Sequence, residues 1–554
     1  MKKHITRLLF AALLLLALCI GASAADAGGA CGPSAWWSFD SSTGTLTISG
    51  SGAMSDYVFE WGESDPRPWS AYLSEIKTVV IGDSITKIGK EAFSSVPCTA
   101  VKIGKNVQVI GENAFTDCTS LTGDLVIPDS VTTIDRWAFF GSVISNGTLT
   151  LGKSLRTIGE RAFADCSFSG GLTIPEGVTE IAEGAFCSSS KYSGSPAPGK
   201  ITDTLTLPST LKTIGAYAFA YEGFSGELLI PDGVTSIGAN AFAECDGFGG
   251  TLSLPDSVKT VGESAFYQCE GFTGLKLSAG LTKIEMRSFA HMSGLKTEVV
   301  IPEGVTEIGE GAFEFSCMSS VRFPSTLKKI GKQAFYWTFG LTNISTITFP
   351  NGLEVIEDEA FDSCYFKNAV VLPASIKSIG KKVFDGYCSS EKRNDIPIGA
   401  YFLGAAPQLV GTGNSNCSFP SDWTLFYLPG TSGWTGDTYA GYKIAPWDGE
   451  TRWDNLRTNQ FGDGWDNKGK KIEASWSVNT DTGKITLTDD LTEGCAVAVS
   501  YDAEGRVTSI GVLRTKTDSV RLDLQDTCRL FLLNASSAPR LYEPVKINHF
   551  LSDT

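Results

Sequence analysis

Histidine is almost missing from this chain: His4, His291 and His549 are the only three in 554 residues. That excludes multi-histidine metal centres, and it leaves at most two imidazoles for a Ser/His/Asp arrangement once an N-terminal targeting segment is removed. Basic stripes are absent too. There are 45 Lys and Arg against 61 Asp and Glu, a net charge of -16, and the first 24 residues hold Lys2, Lys3 and Arg7 but no acid, so the remainder stands at -19. Such a surface repels phosphate backbones and anionic lipid heads, so nucleic acid is not an expected partner. No glycine loop followed by Lys and Ser/Thr offers to cradle a phosphate. Apolar residues are plentiful at 42%, enough for a sizeable core.

The one long apolar run lies at the start. Leu8 to Ile20 follows the three cations and precedes Ala22-Ser23-Ala24, a small-x-small cleavage signal, so residues 1–24 are expected to be a signal peptide. Thirteen residues span only about 20 Å as a helix, short of a bilayer's hydrocarbon core of about 30 Å. A mature chain from near Ala25, secreted or at the cell surface, is expected, with no transmembrane segment. Cys19 does not fit a lipoprotein signal, because Leu18 stands where a small residue is wanted. Setting Cys19 aside leaves thirteen of the 14 cysteines, an odd number that cannot all pair internally. Cys495 with Cys528, or Cys388 with Cys417, remain open as disulfide pairs.

Self-similarity organises the middle of the chain. An Ile or Val, four residues and a Phe recur thirteen times, from Ile88/Phe93 and Ile110/Phe115 through Ile356/Phe361 and Ile379/Phe384. The Phe residues lie 22 to 26 positions apart except between Phe186 and Phe219, and Ala precedes all but two of them. Alternating apolar runs closed by Pro, such as Leu125-Val126-Ile127-Pro128 and Leu172-Thr173-Ile174-Pro175, come about thirteen residues earlier and predict strands. The Val-Thr-x-Ile-Gly stretch predicts a second short strand. The Ala-Phe segment, rich in Glu, Ala, Lys and Gln, predicts one helical turn. A unit of about 24 residues cannot close a core alone, so the copies are expected to stack at about 4.8 Å per parallel strand, with the Phe residues in one interior column over a length of about 60 Å. Cys118, Cys166, Cys245, Cys269 and Cys364 each fall three residues after a Phe, which predicts small apolar filling at one structural position.

The pattern Leu-x-Ile-Pro-x-x-Val-Thr-x-Ile-Gly-x-x-Ala-Phe-x-x-Cys, seen in Leu228 to Cys245 and, but for its Gly, in Leu125 to Phe139, resembles the BspA-like class of bacterial leucine-rich repeats over roughly residues 79–389. Gly82, Gly104, Gly152 and Ser278 replace the Pro, and Asp135, Ala182, Glu285 and Glu357 the Gly. The resemblance implies a β-rich repeat solenoid, a horseshoe or arc of parallel strands and short helical turns, in a secreted or cell-surface protein that binds other macromolecules without catalysis. The rivals are a polysaccharide-active enzyme on a parallel β-helix, which would want extended residues where this chain has Glu-x-Ala-Phe, and a purely structural envelope component.

Thirteen repeats over 78–390 are expected between an N-terminal cap at 25–77 and a C-terminal cap at 391–450, because a solenoid's ends need covers. Trp36, Trp37, Trp61 and Trp69 fill the first cap or, alternatively, form a carbohydrate platform. Residues 451–473 suit a linker, and short β-type runs over 474–554 predict a small antiparallel sandwich, an extra all-β domain. Trp37-Ser38-x-Asp40-x-x-Thr43-Gly44-x-Leu46-Thr47-Ile48 echoes Trp476 to Leu487 at an offset of 439. A shared hairpin chemistry follows.

Catalysis needs converging ionisable groups, and the repeats scatter theirs, so no catalytic residue, metal or cofactor is assigned. His291 is expected to be an exposed turn residue. Asp463, Asp466 and Asn467 miss the EF-hand register and suit a solvated loop. Binding is the expectation, because stacked strands present a regular surface. The outward mid-strand column is Val80, Lys102, Val126, Thr150, Thr173, Thr206, Leu229, Ser253, Lys276, Val300, Arg322, Thr348 and Val371, with three cations and no acid. It is a candidate face for an extracellular protein or glycan. The extra residues between Phe186 and Phe219, including Tyr192, Pro196 and Pro198, form a candidate binding loop.

Overall fold

The computed structural model describes residues 27–59, 63–188, 201–338, 349–364, 370–385, 399–410, 417–421 and 423–446, together with seven strands between Trp476 and Ile547. Residues 1–26, which include the segment expected to be a signal peptide, and Trp61, Tyr192, Pro196, Pro198, Thr348, Cys388, Asp463, Asp466, Asn467 and His549 lie outside the described residues. The chain divides into two compact units, one holding everything described up to Pro446 and the other the strands from Trp476 onward.

The first unit is a stack of coils, each contributing three backbone segments to three rows. Strands such as Leu125–Val126 and Leu149–Thr150 make the first row, pairing in parallel with each residue beside its repeat equivalent, Leu125 with Leu149. Period-two alternation decides what they bury. Leu125 and Ile127 are buried while Val126 between them is exposed. Pro128 then opens a turn, its carbonyl accepting the N–H of Val131 at 3.0 Å. The coils that lack this Pro keep the turn: Val107 N–H donates to Gly104 O and Leu281 N–H to Ser278 O. Strands such as Thr133–Ile134, between Val109–Ile110 and Thr157–Ile158, form the second row.

The third row differs from the helical turn that composition predicted. Ala92, Ser94 and Val96 donate their N–H groups back to Gly89, Glu91 and Phe93 of their own coil, whereas Glu91, Phe93 and Ser95 donate to Glu112, Ala114 and Thr116 of the next. Alternate amides thus close turns and join coils. An α-helical segment would direct its amides along its own axis and leave the stacked neighbours unbonded. Among the described residues, the geometry places those two before each Phe, and those two after it except Ser188, in the left-handed region, Asn113 at φ 54° and Asp117 at 56°, and even Trp137, Arg161 and Tyr217 adopt it. Among the described residues the one helix is the 3-10 turn Ser70–Glu75 in the N-terminal cap.

Glycine in Val-Thr-x-Ile-Gly serves close approach. A Cβ on Gly238 would stand 2.5 Å from the Ala216 nitrogen of the preceding coil, while its φ is not in the left-handed region.

The phenylalanines form the expected column. From Phe93 to Phe384 all thirteen rings are fully buried, and successive rings stack with centroids 5.1 to 5.7 Å apart and planes within about 20°. The caps extend it. Trp69 stacks on Phe93 at 5.4 Å and Phe419 on Phe384 at 5.4 Å. Trp69 and Trp37, 0% and 6% exposed, therefore fill the cap and do not make a platform. In that cap β1 (Ala27–Ala30), β2 (Ala35–Asp40) and β3 (Thr45–Gly50) are antiparallel, and β3 then pairs in parallel with Thr78–Ile81 to start the first row.

In the second unit Trp476–Asn479, Lys484–Leu487 and Ser519–Arg521 form one antiparallel sheet, and Val507–Leu513, Cys495–Tyr501, Thr527–Leu533 and Val545–Ile547 another. The sequence echo is kept in register: Trp37 faces Ile48 in one hairpin, Trp476 faces Leu487 in the other. Cys495 and Cys528 lie on paired strands, but Cys495 faces Leu533 and Cys528 faces Ser500. Five residues of offset is about 17 Å along a strand, beyond a disulfide's reach.

Replacing Phe242 by Ala opens a void in the middle of the column, and equilibrium urea unfolding should show a loss of about 3–5 kcal/mol. A second prediction concerns acid. Asp83, Asp129 and Glu176 follow the row-one strands, and each accepts an N–H from the next coil: Lys105 at 3.1 Å, Lys153 at 3.1 Å and Ser209 at 3.0 Å. The Lys105 N–H holds Asp83, the Lys153 ammonium Asp129, and the Ser209 N–H Glu176 below the ordinary values of 3.8 and 4.5. A depressed carboxyl stabilises the fold above its unfolded pKa and loses that contribution as pH falls through the folded one. Melting temperature should therefore fall below about pH 4, and less so in the triple variant Asp83→Asn, Asp129→Asn, Glu176→Gln.

Candidate functional site

Outward mid-strand residues of the first row form the surface that the sequence marked. Lys102, Val126, Thr150, Thr173, Thr206, Leu229, Ser253, Lys276, Val300 and Arg322 are all exposed, and Val80 and Val371 are half-buried. Parallel register sets equivalents side by side: Val126 with Thr150, Thr173 with Thr206, Leu229 with Ser253, Ser253 with Lys276, Val300 with Arg322. Three aliphatic side chains stand out from it, Val126 at 54% exposure, Leu229 at 72% and Val300 at 45%. Leu229, Asp232, Thr251, Ser253, Asp256 and Lys276 line a shallow hollow of about 480 Å³. The three cations are not equivalent. Arg322 is neutralised by Glu298 at 2.7 Å, whereas Lys102 and Lys276 make no ion pair among the described residues.

Sequence reasoning missed the outer edge of the turns. There the residues immediately after the column Phe, Ala164, Cys187, Ala220 and Ala243, form a small buried apolar cluster separate from the main core, flanked by Phe140, Tyr221 and Tyr267. A cavity of about 310 Å³ opens beside it, between Phe140 with Arg161 on one side and Tyr217 with Tyr221 on the other, over Gly184 and Cys187. Farther along the edge, His291 is half-buried instead of exposed. It stacks on Phe315 at 4.6 Å, meets Tyr267 edge-on at 5.1 Å, and holds its Nε2 3.9 Å from the buried Glu314, which pairs with Arg287 at 3.1 Å. Burial lowers the His291 pKa, and the Glu270 charge opposes the shift. Aligning the repeats on Phe and comparing the positions just after it would have revealed these aromatics; amphipathic patterning could not, because turns have no period.

The cysteines three residues after Phe are buried, as expected, and they are also donors. Cys118, Cys166, Cys245, Cys269 and Cys364 give their thiol hydrogens to the carbonyl of the preceding coil's Phe at 3.0–3.3 Å. Ser142, Ser316 and Thr338 do the same from the equivalent position at 2.6–3.2 Å. Among the described residues, eight coils thus fill the position with a small side chain that has one hydrogen to give, whereas Val96, Glu222 and Met292 occupy it in three others. Burial pushes Cys364 up to about 12 and raises Cys166 and Cys269 too. Among the described residues, no group of three His, Cys, Asp or Glu side chains is placed to hold a metal ion, and no helix is long and apolar enough to cross a membrane.

With this geometry established, comparison with known proteins gives a family. The model of the BspA type leucine rich repeat region, in six copies, matches residues 86–221, 212–342 and 336–401, more than half of the chain. The chain belongs to that family. The similar solved structures are described as leucine-rich repeat or leucine rich proteins, all at low identity. A leucine-rich repeat protein from Bacteroides ovatus is 18% identical, with 71% of this chain and 98% of that one aligned and a TM-score of 0.43. One from Eubacterium ventriosum is 21% identical over 60% and 94%, TM-score 0.35. A leucine rich cell surface protein from Faecalibacterium prausnitzii is 23% identical over 61% and 93%, TM-score 0.29. No curated protein matches the chain.

The BspA-type coil thus predicts its own thiol chemistry. Brief alkylation of the native protein followed by peptide mass spectrometry should label the half-buried Cys317 and Cys417 well before Cys166, Cys269 and Cys364, which are enclosed in the stack; equal labelling of both sets would contradict the burial.

Proposed function

We propose that this protein is exported to the cell surface or beyond it and binds a protein partner there through the outward face of its first strand row, without catalysis. The observation that carries the reading is the exposure of Leu229. At 72% it stands over the hollow that Ser253 and Lys276 share, and a large aliphatic side chain flanked by hydrogen-bonding groups and an uncommitted cation has the make-up of an interface anchor. Val126 and Val300 repeat the apolar character at a distance along the same column, so a contact area of several coils is available on rigid strands. Export is supported by the Lys2, Lys3, Arg7, Leu8–Ile20 and Ala22-Ser23-Ala24 pattern and by the cell-surface description of the Faecalibacterium protein. Family membership supports interaction over catalysis.

A binding screen of residues 25–554 against extracellular-matrix and cell-surface proteins identifies the partner. Against that partner, Leu229→Asp combined with Lys276→Glu should weaken binding at least tenfold while the melting temperature stays within about 2 °C, since both side chains point away from the core. Unchanged affinity in the double variant would remove the strand face from the account.

A further inference from the structure

We propose that the cavity on the turn edge, between Phe140 and Tyr217, is a binding site for a neutral saccharide, separate from the strand face. The notch arises from one coil's small residues between bulky neighbours. Where adjacent coils carry Arg161 and Tyr217 two residues before the column Phe, the coil of Phe186 carries Gly184, and where they carry Asp165 and Tyr221 two residues after it, this coil carries Ser188. The depression reaches about 310 Å³, at the lower end of the range of small-ligand pockets.

Its chemistry is mixed in a particular way. Aromatic rings form the walls, and the floor is apolar: Ala164 and Cys187 are buried, and burial pushes the Cys187 thiol up to about 12, so it stays neutral. Two ionised groups stand at the rim. Arg161 is a donor without acceptor capacity, Glu183 an acceptor without a hydrogen, and neither side chain makes an ion pair with the other or with any other described residue. A pyranose supplies what this lining lacks, an apolar C–H face to lie on an aromatic ring and hydroxyl groups that accept from Arg161 and donate to Glu183. The opposed rim charges cancel. A polyanion would meet Glu183 and a chain of net charge -16, and a polycation would meet Arg161, so the balance favours an uncharged, hydroxyl-rich ligand.

The edge is rigid enough for the purpose, because Arg161 N–H donates to Glu183 O at 2.9 Å and Tyr217 N–H to Ala239 O at 2.8 Å, fixing the backbone beneath the rim and wall. These residues lie in the turn row, whereas Leu229 and Lys276 lie in the first strand row, so the two sites can fail independently.

The test uses residues 25–554 on an immobilised array of neutral hexose and N-acetylhexosamine oligosaccharides, with polygalacturonate, heparan sulfate and a proline-rich peptide as further arms. Retention on at least one neutral oligosaccharide is expected, reduced tenfold or more by Tyr217→Ala and by Arg161→Gln and unchanged by Leu229→Asp. Tyr217 and Arg161 occupy left-handed backbone, so if either variant lowers the melting temperature appreciably, Gly184→Asn decides instead: Asn tolerates that conformation and fills the floor. Failure to retain any neutral oligosaccharide, retention only on the anionic or peptide arms, or retention indifferent to all three turn-edge variants would each overturn the proposal.

Discussion

Each coil has an apolar interior that nothing in the coil itself can cover, and the rest of the structure follows from that shortage. Burial comes from the coil above and the coil below. The Phe ring is the largest piece of the shared surface, and because its centroid repeats every 5.1 to 5.7 Å, each ring contacts two others and none faces water. The need does not stop at the last repeat, which is why the caps supply rings of their own. Trp69 and Phe419 are members of the column, and the cap strand Thr45–Gly50 joins the first row by main-chain bonds.

A stack held by apolar contact alone would slide. Register is fixed by the backbone: in all three rows an amide from one coil meets a carbonyl of the adjacent one, and the third row manages this by spending alternate amides on its own turns. The left-handed residues are the consequence of that alternation. Each costs roughly 1–2 kcal/mol for a side chain other than Gly, a strain that the inter-coil bonds and the ring contacts outweigh together. Side-chain donors finish the interior. In eight of the described coils Cys, Ser or Thr three residues after Phe serves the Phe carbonyl of the preceding coil.

The period, the strand rows, the outward column and the phenylalanine spine were legible in the sequence because each rests on recurrence or on period-two alternation, and both survive in the text of the chain. The turn row was not. Glu, Ala and Gln favour helix on propensity, and the preference is overridden because a helix would bond to itself where the stack needs bonds between coils. Residues such as Trp137, Arg161 and Tyr217 carry no hint of left-handed backbone, so composition misled there. The pairing of Cys495 with Cys528 failed for another reason: strand register, which sequence spacing does not encode, sets them five positions apart. The turn-edge cavity is likewise invisible to a single copy, since it exists only as a contrast between one coil's Gly184 and the aromatics of its neighbours.

Because the main chain carries most of the bonds between coils, outward side chains other than the turn carboxylates such as Asp83, Asp129 and Glu176 are free to differ from copy to copy. Departures from the repeat on an outward position therefore carry information that departures in the interior do not. A Val in place of Ile at 261 only repacks the core, whereas Leu229 among threonines and serines, or glycine at 184 between Arg161 and Tyr217, changes what a partner would meet. Neither departure touches the ring column. A protein built this way can alter one surface without altering another, and its two unusual surfaces lie on different rows and on different coils, the turn-edge cavity between Phe140 and Tyr221 and the strand-face hollow between Leu228 and Lys276.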